Sequence, residues 1–116
     1  MAQAKTRVRK PRQVDLAWAA GLFEGEGCVR LDDGRTRLEL ETTDQDVALD
    51  FASIMRSGTV RQRNKNWRHP HHKTSWRWQA GAIEDVTRIC GWLYPFLGER
   101  RRAKMTHCLA NDRRLA

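Results

Sequence analysis

Apolar and polar residues alternate with a period of two in two pairs of segments. The first pair is CVRLDD (28–33) and TRLELET (36–42), joined at the turn residues Asp33 and Gly34, and the second is TVRQRN (59–64) and SWRWQAG (75–81), joined by KNWRHPHHKT (65–74). Successive side chains of a β-strand point to opposite faces, and turn-forming residues connect the strands of a hairpin. The pattern therefore predicts two β-hairpins.

Apolar residues spaced three and four apart predict four helices around these hairpins. The predicted helices cover residues 15–25, 44–56, 83 up to Pro95, and 99–115. Asp15 is a suitable N-cap for the first helix, and Thr43 with Asp46 resembles a capping box at the start of the second. The predicted fold is α+β with the element order α-β-β-α-β-β-α-α, in which the four antiparallel strands form one sheet.

The two faces of the predicted sheet differ in chemistry. Val29 and Leu31 fall on one face, together with Leu38 and Leu40, and predict the core side. The opposite face carries long polar side chains, and these are Arg30, Asp32, Arg37, Glu39, Glu41, Arg61, Arg63, Arg77 and Gln79. Side chains of these types recognise base edges in a DNA major groove. A solvated polar face is the simpler alternative, because antiparallel sheets often face water on one side.

Charge narrows the class of partner. The chain has 22 Lys and Arg against 14 Asp and Glu, a net charge of +8 and a pI near 10.3. Such an excess of positive charge favours a polyanionic partner, and nucleic acid is the first candidate. We expect no membrane partner and no small-molecule substrate, and an intracellular, soluble protein, because no long apolar segment or secretory signal is evident.

Domain organisation follows from composition. The first 13 residues, MAQAKTRVRKPRQ, contain five basic residues and no acid, which predicts a flexible basic arm. Residues 14–116 are predicted to form one domain, since the chain is long enough for a single modest core.

Cysteine, histidine and tryptophan residues predict no further chemistry. Three widely spaced cysteines, Cys28, Cys90 and Cys108, contain no CxxC pair, so we expect reduced, mostly structural thiols. The HPHH segment, His69 to His72, is predicted to be a solvated or DNA-contacting loop rather than a metal site, because no second ligand cluster has zinc-finger spacing. Core positions are predicted for Trp18, Trp76, Trp78 and Trp92.

The first predicted helix has two distinct faces. Its apolar face contains Leu16, Trp18, Ala19, Leu22 and Phe23. Its second face contains Ala17, Ala20, Gly21 and Glu24, with Gly25 at the edge, and small residues at spacings of four allow a second helix to approach closely. Small residues beneath a loop are the alternative explanation.

The segment AAGLFEGEG, Ala19 to Gly27, resembles the motif of the LAGLIDADG homing endonucleases. The element order is similar to the αββαββα unit of that family. TTD at the start of the second helix and LYPFLGERR after the third extend the resemblance over about Val14 to Lys104. It implies the homing endonuclease-like fold, followed here by a C-terminal helix.

The resemblance also implies site residues. Glu26, the last acid of the motif, would bind the catalytic divalent metal, Mg²⁺ or another cation such as Mn²⁺. Arg100 corresponds to a basic residue near the scissile phosphate, and Asp44 to a polar position near the catalytic water. The implied dimer interface contains Ala17, Ala20, Gly21, Glu24 and Gly25. Glu replaces the Asp found in many members at both acidic motif positions, which changes the reach of the carboxylate.

The chain contains one copy of the motif, so cutting both DNA strands implies a homodimer. A symmetric dimer in turn implies a pseudo-palindromic double-stranded DNA target. The predicted activity is hydrolysis of phosphodiester bonds. Two alternative functions are consistent with the same charge and fold. They are a DNA-binding regulator without catalysis and an RNA-splicing, maturase-like protein. A third is a small basic RNA-binding or ribosome-associated protein, which leaves the two acids of the motif without a role.

Overall fold

A computed structural model describes residues 8–63 and 74–116 of the chain. The elements are α1 (Gln13–Glu26), β1 (Gly27–Asp32), β2 (Arg35–Thr42), α2 (Gln45–Met55), β3 (Thr59–Arg63), β4 (Ser75–Ala80), α3 (Ile83–Leu93) and α4 (Glu99–Ala110), with short 3₁₀ turns at Tyr94–Phe96 and Arg113–Leu115. The predicted α+β fold and element order are confirmed. The predicted HPHH loop and most of the predicted basic arm lie outside the described residues.

The four strands form one antiparallel sheet in the order β1-β2-β4-β3. In the register, Leu40 of β2 lies opposite Gly27 of β1 and Trp78 of β4, and Val60 of β3 lies opposite Trp78. The apolar residues of all four strands therefore share one face. This inner face packs against the helices, and the opposite face of the sheet is called the outer face below.

The core is built on three aromatic rings between the helices and the inner face. Phe51 of α2 packs edge-on against Trp78, with ring centroids 4.7 Å apart, and stacks near Phe23 of α1 at 6.2 Å. All three side chains are fully buried. Burial of a side chain of this size contributes roughly 1.5–3 kcal/mol, so these rings account for a substantial part of the hydrophobic stabilisation.

Gly58 provides the space that Trp78 occupies. Its φ of +92° lies in a region that L side chains rarely adopt, and a Cβ at this position would overlap the indole ring. The indole Nε1 donates a hydrogen bond to the carbonyl of Ser57 at 2.9 Å. Gly58, between α2 and β3, thus allows the largest core side chain to pack against the backbone.

The predicted caps of α1 and α2 and the predicted end of α4 differ from the structure. Helix α1 has Arg12 as its N-cap and begins at Gln13, which places Asp15 in the first turn, where it accepts a hydrogen bond from Arg12 Nε at 3.2 Å. The predicted capping box is wrong, since α2 has Asp44 as its N-cap and no side-chain cap hydrogen bond. The last helix ends at Ala110 rather than Leu115.

Asp112 explains the early end of α4. Its buried carboxylate accepts hydrogen bonds from the backbone N–H of Thr36 at 2.7 Å and from Arg114, both backbone and guanidinium. Hydrogen bonding from Arg114 is the largest effect on the pKa of Asp112 and holds it well below its ordinary value. The backbone N–H of Arg113 donates to the carbonyl of Gly34 at 2.8 Å. The C-terminal residues are therefore fixed to the β1–β2 turn.

Tryptophan positions match the core predictions only in part, since Trp76 is half-buried and lies outside the core cluster. Trp78 is buried, and Trp92 packs partly buried against the core. The core prediction for Trp18 is wrong, because its side chain is 43% exposed. Cys90 is buried, which raises the pKa of its thiol to about 12, whereas Cys28 is exposed on the outer face. Among the helices that the structure describes, none is long and apolar enough to cross a bilayer.

Candidate functional site

The nine polar strand residues singled out by their alternation all lie on the outer face. The register sets them in rows across the sheet: Arg30 lies opposite Arg37, Glu39 opposite Gln79, and Arg77 opposite both Glu41 and Arg61. Arg30, Arg37, Arg61 and Arg63 are exposed. The outer face therefore presents arginines from all four strands on one continuous surface.

One group of ion pairs on this face is centred on Arg30. Its guanidinium lies 3.4 Å from Glu39 Oε2 and 3.1 Å from Asp32 Oδ2. The charge of Glu39, followed by that of Asp32, raises the pKa of Arg30. Glu39 is only 8% exposed, so Arg30 covers this carboxylate while its own side chain stays accessible.

A second group is centred on Glu41. Its Oε1 accepts hydrogen bonds from Arg63 at 3.0 Å and Arg77 at 3.3 Å, and its Oε2 accepts one from the hydroxyl of Ser75 at 3.1 Å. Partial burial acts to raise the pKa of Glu41, but the hydrogen bonds from Arg63, Ser75 and Arg77 and the charge of Arg63 bring it below its ordinary value. Glu41 is thus a charged acceptor that links β2 to both β3 and β4.

Glu26 and Asp44 border the same concavity at one end of the sheet. Glu26 is the last residue of α1 and is exposed, and Asp44 is the exposed N-cap of α2. The concavity has a volume of about 620 Å³, and its lining also includes Leu22, Glu41, Thr42, Thr43, Val47 and Ser75. The structure therefore brings together two of the three predicted catalytic residues, which the sequence separates by a complete hairpin.

The donor set at this concavity suits a hard cation only in part. Carboxylate oxygens are appropriate ligands for Mg²⁺, but Glu41 already accepts hydrogen bonds from two guanidinium groups. Within residues 8–63 and 74–116, no group of three or more His, Cys, Asp or Glu is arranged to hold a metal ion. A cation at Glu26 would need further ligands from water, phosphate or a second chain.

Arg100 lies in a different concavity from Glu26 and Asp44. This second depression, of about 280 Å³, is lined by Arg100, Arg101 and Lys104 of α4 and by Cys28 and Val29 of β1. Helix α4 packs along the edge strand β1, so these basic residues lie at the β1 edge of the sheet. Arg100 thus lies close to Cys28 at the start of β1. Cys28 follows Glu26 by two residues in the sequence.

The exposed side of α1 is formed by small and apolar residues. Ala17, Gly21 and Gly25 are exposed, and a Cβ built on either glycine would contact nothing within 4 Å. Val14 and Trp18 border them, with exposed fractions of 66% and 43%. The helix therefore presents an apolar surface that has space for close approach by another element.

Two residues assigned to that surface from sequence lie elsewhere. Ala20 is 1% exposed and belongs to the core of its own chain, so its placement on the small-residue face is wrong. Glu24 faces α4, where its carboxylate accepts hydrogen bonds from Gly98 N–H and Arg101 Nε. Arg101 and Asp112 were not predicted from the sequence, because the partner of each lies more than seventy positions away along the chain.

A family model described as a LAGLIDADG-like domain matches residues 13–91, more than half of the chain. No curated protein matches the sequence. Among solved structures, the homing endonuclease I-CvuI in complex with the I-CreI target and Mg²⁺ has a TM-score of 0.73 and 23% identity, covering 89% of this chain.

Two further structures have the same architecture. The group I intron-encoded homing endonuclease I-CeuI, complexed with DNA, gives a TM-score of 0.65 at 9% identity over 90% of this chain. The homing endonuclease I-TnaI gives a TM-score of 0.65 at 11% identity over 82% of this chain. The chain spans 68%, 56% and 69% of the lengths of I-CvuI, I-CeuI and I-TnaI, respectively. At these identities the likeness establishes the fold.

Proposed function

Because this chain belongs to the LAGLIDADG family, we propose that it is a sequence-specific, metal-dependent endonuclease that cuts double-stranded DNA as a homodimer. The observation that carries this proposal is the continuity of one segment. Helix α1 carries the exposed small-residue surface, ends at Glu26, and continues directly into β1, whose outer face presents Arg30. Dimerisation, metal binding and DNA recognition are thus combined in adjacent residues.

The outer face is the proposed DNA-binding surface. A two-stranded β-ribbon fits a major groove, and arginine and glutamine pair with guanine and adenine edges, respectively. Arg37 and Gln79 occupy neighbouring strands of this face, and the net charge of +8 favours association with phosphate. Homing endonucleases of similar fold have been solved in complex with DNA, which supports DNA as the partner of this chain.

The exposed surface of α1 is the proposed dimer interface. Its small residues, Ala17, Gly21 and Gly25, allow a second α1 to approach closely, and Val14 and Trp18 supply apolar area around them. A two-fold axis between the helices would place two Glu26 side chains near each other. The target would accordingly be pseudo-palindromic, with one half-site for each chain.

Glu26 is the proposed metal ligand, and Asp44 borders the same concavity. A divalent cation held by carboxylate oxygens activates water and neutralises charge at the scissile phosphate. Two Glu26 carboxylates placed close together would repel each other, so the pair is favourable when a cation compensates their charge. Mg²⁺ is the proposed cation, and Mn²⁺ suits the same oxygen ligands.

Arg100 and Lys104 are the proposed phosphate contacts beside the cutting site. Both line the concavity next to Cys28, at the end of β1 that follows Glu26. Their positive charges would offset the phosphate charge near the scissile bond, and they carry no base specificity of their own. Their contribution to binding is expected to weaken as salt concentration rises.

A selection experiment tests this function. The protein is incubated with a randomised duplex library in Mg²⁺, Ca²⁺ or EDTA, and bound and cut molecules are sequenced separately. The proposal expects one pseudo-palindromic consensus and cleavage in Mg²⁺ but not in EDTA. Specific binding without cleavage in Mg²⁺ would instead identify a DNA-binding regulator. A preference for structured RNA over every duplex would contradict the proposal.

A further inference from the structure

The arginines of the outer face fall into two groups that the sequence does not distinguish. Arg63 and Arg77 donate hydrogen bonds to Glu41, and Arg30 is bracketed by Asp32 and Glu39. Three others, Arg35, Arg37 and Arg61, form no ion pair within residues 8–63 and 74–116. We call the arginines with carboxylate partners the restrained group and the other three the unrestrained group.

Glu41 holds Arg63 and Arg77 of the restrained group together. It is directly opposite Arg77 in the β2–β4 register, and Arg63 reaches it from β3, on the far side of β4. The Ser75 hydroxyl completes the set at 3.1 Å. Three donors from two other strands therefore converge on one carboxylate, which fixes the direction of two guanidinium groups relative to the sheet.

We propose that Glu41 is a positioning residue for sequence recognition: it orients Arg63 and Arg77 toward base edges instead of contacting DNA or metal itself. This inference rests on the proposed function. An arginine already held in one rotamer loses less conformational entropy when it forms a bidentate contact with guanine. The specificity of the DNA contact then depends on a carboxylate that makes no contact with DNA.

The charge of Glu41 has a second effect. By partly neutralising Arg63 and Arg77, it lowers their attraction for phosphate, which is the sequence-independent part of DNA binding. The unrestrained arginines, Arg37 and Arg61 among them, keep their full attraction for the backbone. Glu41 thus raises the affinity for the specific site and lowers the affinity for non-specific DNA. Both effects increase the ratio of specific to non-specific affinity.

Glu41 also borders the concavity that contains Glu26 and Asp44, so a role as a metal ligand is the main competing explanation. Its oxygens are already occupied: Oε1 accepts from two guanidinium groups and Oε2 from Ser75. Two adjacent cations disfavour a third at the same carboxylate. The hydrogen-bond geometry therefore assigns Glu41 to the arginines and leaves Glu26 for a cation.

The test compares Glu41→Gln with Asp33→Asn in the full-length protein. Each substitution removes one negative charge per chain. Asp33, however, lies in the β1–β2 turn with a 94% exposed side chain, and its only described ion pair is to Arg113 at 3.6 Å. The positive φ of Asp33, 51°, suits Asn equally well. Dissociation constants are measured in Ca²⁺ for the duplex selected by the wild type and for a scrambled duplex of the same composition.

Glu41→Gln is expected to lower the ratio of specific to non-specific affinity by about ten-fold or more, because freed arginines lose their fixed orientation. Asp33→Asn should raise both affinities in parallel and leave the ratio unchanged. Equal behaviour of the two variants would overturn the inference. Thermal unfolding of each variant checks that the loss of specificity does not follow from a loss of folded protein.

A mutant cycle separates positioning from direct contact. If Glu41 acts through Arg63 and Arg77, adding Glu41→Gln to a variant with both Arg63→Ala and Arg77→Ala lowers the specificity ratio much less than Glu41→Gln does alone. Fully additive effects would show that Glu41 contacts the base or the metal directly, and would overturn the inference. If the wild-type protein selects no duplex at all, both the proposed function and the inference are refuted. Equal behaviour of Glu41→Gln and Asp33→Asn, or full additivity in the cycle, refutes the inference alone.

Discussion

The guanidinium of Arg101 contacts Glu24 twice: Nε lies 3.2 Å from Glu24 Oε2, and Nη2 donates to the Glu24 carbonyl at 3.1 Å. The same carboxylate accepts a hydrogen bond from the backbone N–H of Gly98, the N-cap of α4. Glu24 therefore joins the motif helix to the start of the last helix. The first acid of the motif acts within the chain, and the second, Glu26, remains exposed.

Replacing Glu24 with Ala should lower the free energy of unfolding by about 1–2 kcal/mol, because the backbone N–H of Gly98 and the mostly buried Arg101 both lose an acceptor. Glu84→Ala is the control, since Glu84 is an exposed carboxylate in the first turn of α3. Urea denaturation of both variants measures the difference. Equal losses in the two variants would show that the Glu24 contacts contribute nothing specific.

Asp112 predicts the acid sensitivity of the fold. Because its pKa is depressed in the folded state, its contribution to stability is present above the pKa of an unfolded aspartate, about 3.9, and is lost as pH falls below that value. Asp112→Asn should lower stability at pH 7 and flatten its dependence between about pH 5 and pH 2. Urea midpoints measured across this range, with the exposed Asp46→Asn as control, check the prediction. An unchanged pH dependence would contradict it.

Gly21→Leu should convert the proposed dimer to a monomer without harming the fold. A side chain at Gly21 meets nothing in its own chain, so its only steric conflict would be with a partner helix. The matched control is Gly91→Leu on α3, where the glycine is also helical, exposed and open. Both changes should increase helix propensity, by up to about 1 kcal/mol. Sedimentation equilibrium of the two variants measures the mass, and a dimeric Gly21→Leu protein would place the interface elsewhere.

Glu26→Gln should reduce cleavage by about a hundred-fold or more while leaving the affinity for DNA largely intact, since the amide keeps the shape but loses the charge that a cation requires. Glu84→Gln, the same change on an exposed helix position, should leave cleavage unaltered. Single-turnover cleavage and binding on the selected duplex measure both effects. Full cleavage by Glu26→Gln would remove this residue from the metal site.

Local sequence periodicity determined the secondary structure and the outer face. A period of two separates Val29 from Arg30 whatever the partner strand is, because adjacent side chains of a strand point to opposite faces. The helices were predicted from apolar residues three and four apart, which is also a local pattern. Their ends were predicted less well, because helix caps depend on contacts from other elements. Thr43 illustrates this, since it matches a capping pattern but Asp44 is the N-cap.

The tertiary structure alone decided which residues meet. Ala20 and Gly21 are neighbours in one helix, yet one is buried in the core and the other is exposed, because the α1 surface is divided by how the other elements pack on it. The pairings Glu24–Arg101, Thr36–Asp112 and Glu41–Arg63 connect residues far apart in sequence. Periodicity assigns strand side chains to one face or the other, but only the packed chain brings specific donors to specific acceptors. Those pairings separate carboxylates bound within the fold from the exposed Glu26.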